Sequence, residues 1–232
     1  LQARARKVLV YHNITPPDYF RGYDDVIVSQ LEAARAQLTD SLRTADAVWA
    51  VSEFNASELR ALGAPKVDVF PLVFSPEQFD LPPDPWVFVK LKVPLTNLLF
   101  VGRIAPNKKI EELIHAFAWY HRVINPRSRL LIVGSERTAP RYTLMLRMLA
   151  RELNLPNVCF EQFASPEGLS AYYNLADLFV TTSDHEGFCL PLVEAMHRGV
   201  PVIAKRRGGI PEALGRAGVM IDDCAPEALA EL

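Results

Sequence analysis

NLLFVGRIAPNKKIEELIHAFAWYHRVINPRSRLLIVGS, residues 97–135, changes periodicity twice. Its opening residues form an apolar run without polar alternation, the pattern of a strand buried on both faces. From Ile110 the apolar positions fall at 110, 113, 114, 117 and 124, which is helical spacing. RLLIVGS is then a second buried strand. Strand, helix, strand at this length is a parallel crossover unit.

The pattern continues outward. TLMLRMLARELNL, PEGLSAYYNLA and LPLVEAMHRG read as helices, and NVCFEQF, DLFVTTS, VPVIAK and GVMID as strands between or after them. Pro191 falls in the first turn of its helix and Gly199 just past the end. The first half shows the same alternation more thinly. KVLVYH, AVWAVS and KVDVF are strands, and residues 26–45 form a helix. A second helix is expected over 55–63, with Asn55 and Glu58 at capping-box spacing and Gly63 ending it. Residues 75–95 are rich in proline, which removes ladder donors, and read as a linker.

The expectation is therefore an α/β protein with two Rossmann-like parallel-sheet domains, 1–74 and 96–232, joined by 75–95. Three strands make a thin N-terminal sheet. The chain starts with leucine and ends in APEALAEL, a helix scarcely begun, so the N-terminal domain is expected to be incomplete and the chain a fragment.

Bulk properties exclude several classes. The chain has 232 residues, 50% hydrophobic, with formal net charge −2, and offers no clustered basic face for nucleic acid. The run Lys205-Arg206-Arg207 reads as a solvated loop, with a ligand-binding role as the alternative. No apolar run is long enough to span a bilayer, and no basic amphipathic helix argues for peripheral membrane association. Cys159, Cys189 and Cys224 form no CxxC pair, so neither a disulfide framework nor a zinc site is expected. A reducing, cytoplasmic setting fits. Asn13-Ile14-Thr15 and Asn55-Ala56-Ser57 match the glycosylation sequon and are read as chance matches.

In a doubly wound sheet, ligands sit at the carboxyl ends of strands. His12, Gly102-Arg103 and Ser183 to Gly187 all follow strands. Arg103 and Lys108, five residues apart, have the chemistry of a diphosphate clamp or of two ordinary surface cations. The helix beginning near Cys189 and Leu190 exposes unpaired amides that favour an anion. Glu186 and Glu194 bracket an otherwise apolar segment. Carboxylates accept from sugar hydroxyls, so Glu186 suits a sugar and Glu194 a ribose diol, unless Glu194 pairs with Arg198 one turn on. His12 is a hydrogen-bond donor to a sugar or phosphate, or a structural histidine. Gly208-Gly209 is a flexible turn that phosphate can approach, or a plain tight turn, and Glu212 sits in the first turn of the next helix. Dinucleotide fingerprint, P-loop, HExxH and GxSxG patterns are absent. No DxD follows a strand, so no metal is expected.

Together, FVGRIAPNKKIEELIHAF, SDHEGFCLPLVEAMHRGVPVIA and GGIPE, in this order and spacing, resemble the retaining glycosyltransferases of family 4, which have the GT-B fold. VLVYHNITP and AVWAVSEFNASELRALG resemble the part of that family's N-terminal domain near the linker. The resemblance implies a nucleotide-diphosphate sugar as donor, a carbohydrate or lipid-linked acceptor, and no cofactor or metal. It implies that Arg103 and Lys108 neutralise the diphosphate and that Glu194 holds the ribose. It gives Glu186 the donor sugar's hydroxyls, and the amides of Gly187, Phe188, Cys189 and Leu190 the phosphate and sugar contacts. Gly102 permits close backbone approach, and His12 reaches across the cleft. Two departures are Lys109 and Gln162, where glycine is common in the family. Competing readings are a module that holds nucleotide without turnover, and a GT-B epimerase or phosphorylase.

Overall fold

The computed structural model describes residues 5–162 and 164–232; Phe163, which ends the expected strand NVCFEQF, lies outside them. Strands β1 (Val8–Tyr11), β2 (Ala47–Ala50) and β3 (Asp68–Val69) pair in parallel in that order, with helices α1 (Asp25–Thr44) and α2 (Glu53–Ala61) between them. Helices α3 (Pro76–Phe79) and α4 (Pro85–Lys90) lie in the proline-rich stretch. Proline there starts helices at the first-turn position where its missing N–H costs nothing.

The second sheet has strands β4 (Thr96–Val101), β5 (Ser128–Val133), β6 (Val158–Glu161), β7 (Leu178–Thr181), β8 (Val202–Lys205) and β9 (Val219–Ile221). Their spatial order is β6-β5-β4-β7-β8-β9, all parallel. Helices α5 (Ile110–Trp119), α6 (Pro140–Glu152), α7 (Pro166–Leu175), α8 (Leu190–His197), α9 (Ile210–Leu214) and α10 (Pro226–Ala230) follow successive strands. The expected parallel α/β architecture holds.

Burial explains the apolar runs. In β4, Leu98 and Phe100 join one core with α5 and α6, while Leu99 joins another with α7, α8 and α9. In β5, Leu130 and Ile132 face the first core and Leu131 and Val133 the second. With both faces covered, period-two alternation cannot show in the sequence. Each such side chain contributes about 1.5–3 kcal/mol of burial.

The chain builds outward from β4 through β5 to β6, then returns to β4's other side for β7. The strand order reverses at β4, so a crevice opens at the carboxyl ends of β4 and β7. The smaller sheet has its own core of Tyr11, Leu38, Val48, Ala50 and Leu59. Phe20, in the 3₁₀ turn Pro17–Phe20, and Val28 on α1 are instead buried in the large sheet's first core.

Some local expectations are corrected. Helix α2 begins at Glu53, because Ser52, in extended backbone, accepts from the N–H of Asn55 at 3.1 Å. Asn55 is no cap; it lies inside the first turn and is buried. The strand expected over 66–70 is only Asp68–Val69. The helix from Ile110 leaves α geometry after Trp119 and finishes as a π turn, Tyr120–Ile124.

Candidate functional site

The loops after β4 and β7 are stapled together. Thr182 Oγ1 donates to the carbonyl of Lys109 at 2.8 Å and of Lys108 at 3.3 Å. The N–H of Asp184 donates to the Asn107 carbonyl at 2.9 Å, and Asn107 Nδ2 donates to the His185 carbonyl at 3.0 Å. Lys108 thereby stands beside Glu186, with Nζ 2.5 Å from Oε1 and both side chains largely buried. The two residues assigned to different parts of a ligand are brought together as an ion pair of the protein. Arg103 remains exposed and pairs with no carboxylate among the described residues.

The run at 205–207 is not a solvated loop throughout. Lys205 is buried, and its Nζ reaches Asp184 at 2.6 Å, Asp223 at 2.8 Å and Glu112 at 3.1 Å. Burial opposes its charge, but the hydrogen bonds to these carboxylates overcome that and raise its pKa. Lys205 thus anchors the base of the 184–187 loop. Arg206 and Arg207 do lie outward, paired with Asp222 and Asp223.

Glycines set the loop's path. A Cβ on Gly208 would lie 2.3 Å from the Glu186 carbonyl oxygen, and one on Gly209 equally close to that of Gly187. The N–H of Gly209 donates to the Glu186 carbonyl at 2.8 Å. The glycine pair, read as a phosphate approach or a plain tight turn, lets the β8–α9 turn lie on Glu186 and Gly187.

Across the crevice, His12 follows β1. A Cβ on Gly187 would meet the His12 carbonyl oxygen at 2.6 Å. The His12 turn is unusual, because Asn13 has φ 100° and its Nδ2 donates to Asn55 Oδ1 at 2.8 Å. His185 packs edge-on to Phe54 at 5.5 Å between centroids, and burial lowers its pKa. Its imidazole is therefore neutral at pH 7 and shapes the contact.

Helix α8 opens with Cys189 in left-handed backbone, φ 75°. The N–H groups of Gly187, Phe188 and Cys189 have no protein acceptor among the described residues. Burial pushes the Cys189 thiol far above its ordinary range, so it is no nucleophile. Glu194, buried one turn on from Leu190, accepts from the hydroxyl of Tyr173 at 2.7 Å. Arg198 is not its partner; that guanidinium donates to Asn174 Oδ1. Burial raises the Glu194 pKa, and the Tyr173 bond only partly offsets this.

Two cavities adjoin α8, one at its first turn and one at Glu194 and Arg198 further along it. One of about 280 Å³ is lined by His12, Arg103, Lys108, Glu186, Phe188 and Leu190. The other, about 290 Å³, is lined by Phe79, Ser165, Leu169, Tyr173, Glu194 and Arg198. Of the residues to which the family resemblance gave a donor-site role, all except Gly102 line one or the other, and Gly102 sits directly before Arg103; Gly208, Gly209 and Glu212 line neither. Sequence reasoning missed Asn107, Thr182, Tyr173 and Lys205, whose roles depend on partners distant along the chain. Among the described residues no group of three or more His, Cys, Asp or Glu could hold a metal ion, and no helix is long and apolar enough to cross a membrane.

Parallel sheets with a crevice at a switch point, a cationic loop and an open helix N-terminus define a doubly wound α/β protein whose crevice is electrostatically suited to an anion. Residues 90–232 match the family model described as glycosyl transferases group 1, and the chain belongs to that family. It is 36% identical over 143 residues to a D-inositol 3-phosphate glycosyltransferase of Corynebacterium efficiens, covering 59% of this chain and 34% of the relative. The O-antigen chain mannosyltransferase B of Escherichia coli is 26% identical over 226 residues, covering 94% of this chain and 57% of that protein. Among solved structures, Anabaena HepE in complex with UDP and glucose superposes with TM-score 0.79 at 23% identity, over 98% of this chain and 61% of that one. Sucrose-phosphate synthase of Thermosynechococcus elongatus gives 0.75 at 26% identity, over 99% and 58%. The fold is of the GT-B type. The chain spans less than two thirds of each of these proteins.

Proposed function

We propose that the protein is a retaining glycosyltransferase of family 4. It moves a sugar from a nucleoside diphosphate sugar to a carbohydrate or lipid-linked acceptor, without a metal, on the cytoplasmic side. The observation that carries this reading is the pair of cavities along α8, one at its first turn and one at Glu194. Glu194 lines the one suited to a nucleoside. Arg103, Lys108, Glu186 and the open amides line the one suited to a sugar diphosphate.

In this reading the bond between the anomeric carbon and the diphosphate oxygen breaks, and its electron pair stays on that oxygen. The acceptor oxygen bonds the same face of the carbon and its proton passes to the departing phosphate. Charge develops on the leaving diphosphate, where Arg103, Lys108 and the α8 amides supply preorganised positive potential. Donor phosphate then competes with Glu186 for the Lys108 ammonium. As that contact loosens, Glu186 is released to accept from sugar hydroxyls. His12 donates from the opposite wall.

Calorimetric titration with UDP, GDP and ADP, beside Glu194→Ala, tests the donor site; binding by none of them to the folded chain refutes it. NMR of the product glycoside tests the mechanism, since retained anomeric configuration is required. A second reading is a module that holds nucleotide without sustained turnover. It draws on the three-stranded first sheet and its half-exposed Val8 and Val10. Sustained glycoside formation by this polypeptide refutes it. Epimerised donor or sugar phosphate as the product would make the chain an epimerase or phosphorylase instead.

A further inference from the structure

Glu212 lies on α9 of the large sheet, yet its carboxylate is spent on the small one. Oε2 accepts from the N–H of Glu53 at 2.7 Å and Oε1 from that of Phe54 at 3.0 Å. These are the first two amides of α2, a nine-residue helix, and have no acceptor within it. Beside them Ser52 Oγ donates to the Gly187 carbonyl at 2.7 Å, again from one sheet's loop to the other's.

The first turn of α2 also carries the His12 turn. Asn55 Nδ2 donates to the Tyr11 carbonyl at 3.4 Å, and Asn13 Nδ2 donates to Asn55 Oδ1 at 2.8 Å. On the other side, Gly208 and Gly209 press α9's leading turn onto Glu186 and Gly187. One connected set therefore runs from α9 through the first turn of α2 to His12, and from α9's turn to the loop of Glu186. A carboxylate bridging two N-terminal amides carries both hydrogen bonds and dipole attraction.

We propose that Glu212 is a positioning residue for His12: it clamps the first turn of α2, and with it the His12 turn, against the loop that holds Glu186 and Gly187. This rests on the reading of His12 as a residue of the donor cleft. Glu212 touches neither cleft cavity and acts only through α2. It is exposed on a short helix, so its substitution spares all three cores.

The test begins on the chain without ligand. The His12 imidazole Cε1–Hε1 resonance and the amide exchange of Glu53 and Phe54 are measured in wild type, Glu212→Ala and Glu212→Gln. In Glu212→Ala, both amides exchange about tenfold faster, a loss at the level of a removed N-cap. The His12 resonance moves, while His115 and the amides of Leu98 to Val101 do not. Glu212→Gln, which retains one acceptor oxygen, restores part of both. With UDP-glucose as probe, kcat falls about tenfold in Glu212→Ala while UDP affinity stays within about twofold. Unchanged exchange at Glu53 and Phe54 overturns the clamp. Faster exchange with an unmoved His12 resonance overturns the positioning role. Failure of wild type to bind nucleotide sinks the donor reading and leaves the clamp to be judged by exchange and resonance.

Discussion

Gly187→Ala puts one methyl where the two sheets come closest. The new Cβ lies 2.6 Å from the His12 carbonyl oxygen and 2.8 Å from Asn13 Cβ, against the 3.4 Å at which ordinary contact begins. Neither neighbour is the end of a flexible side chain. His12 must retreat by about 0.8 Å, dragging an Asn13 whose φ of 100° is already held by Asn55. Overpacking of this kind costs about 1–3 kcal/mol. Taking about 2 kcal/mol and a urea dependence of about 2–3 kcal/mol per molar, the unfolding midpoint falls by about 0.8 M. Equilibrium urea unfolding followed by tryptophan fluorescence measures it. Gly168→Ala is the companion variant, since its Cβ meets nothing closer than Ser165 Oγ at 3.4 Å inside α7. Helix propensity makes that change neutral to stabilising by up to about 1 kcal/mol. If Gly187→Ala leaves the midpoint within about 0.2 M of wild type and the His12 resonance unmoved, the close approach is not a constraint and the reasoning fails.

Glu194→Ala removes a charged acceptor from the nucleoside-sized cavity; loss of about 2 kcal/mol weakens nucleotide affinity about thirtyfold by calorimetry, and an unchanged affinity refutes the ribose role. The pH dependence has a definite sign. Burial raises the Glu194 pKa above the ordinary 4.5, so nucleotide affinity falls as pH drops through that raised value. The same group's contribution to folding runs the other way: its protonated form is favoured, so that stability is fully present below about 4.5 and is lost as pH rises through the folded pKa. Lys205→Met leaves Asp184 facing a buried site without its nearest cation and destabilises by about 2 kcal/mol, less than a wholly buried pair because Asp223 is solvated; thermal unfolding checks it, and no change in Tm refutes the anchor.

The large sheet was legible because burial on both faces leaves unbroken apolar runs such as LLFV and LLIV. The cleft residues were legible because strand ends collect them. What escaped depends on pairing across the chain. Lys205 stands in a cationic triplet that looks solvated, yet its partners Glu112 and Asp184 lie 93 and 21 positions away. The acceptor role of Glu194 is set by Tyr173, on a different helix, and not by the Arg198 that helical spacing offers. Asn55 and Glu58 imitate a capping box, but Ser52 wins the cap because the strand delivers it already extended at the helix entrance. Asn55, displaced into the turn, is left to hold Asn13. Gly208 and Gly209 illustrate a general ambiguity: a glycine pair signals closeness of backbone without saying to what.

Phe20 and Val28 bear on how such a chain could be recombined. Both come from the segment that precedes most of the small sheet, yet both are sealed within the large sheet's core. Pulling them out would expose apolar surface worth about 2 kcal/mol apiece. The proline-rich stretch is thus one of several tethers between the halves, beside these two plugs and the contacts of Glu212 and Ser52. A graft that exchanged the N-terminal half at residues 75–95 would strip two plugs from the recipient's core. A crossover that respects the physics leaves the 3₁₀ turn and the start of α1 with the half they fill.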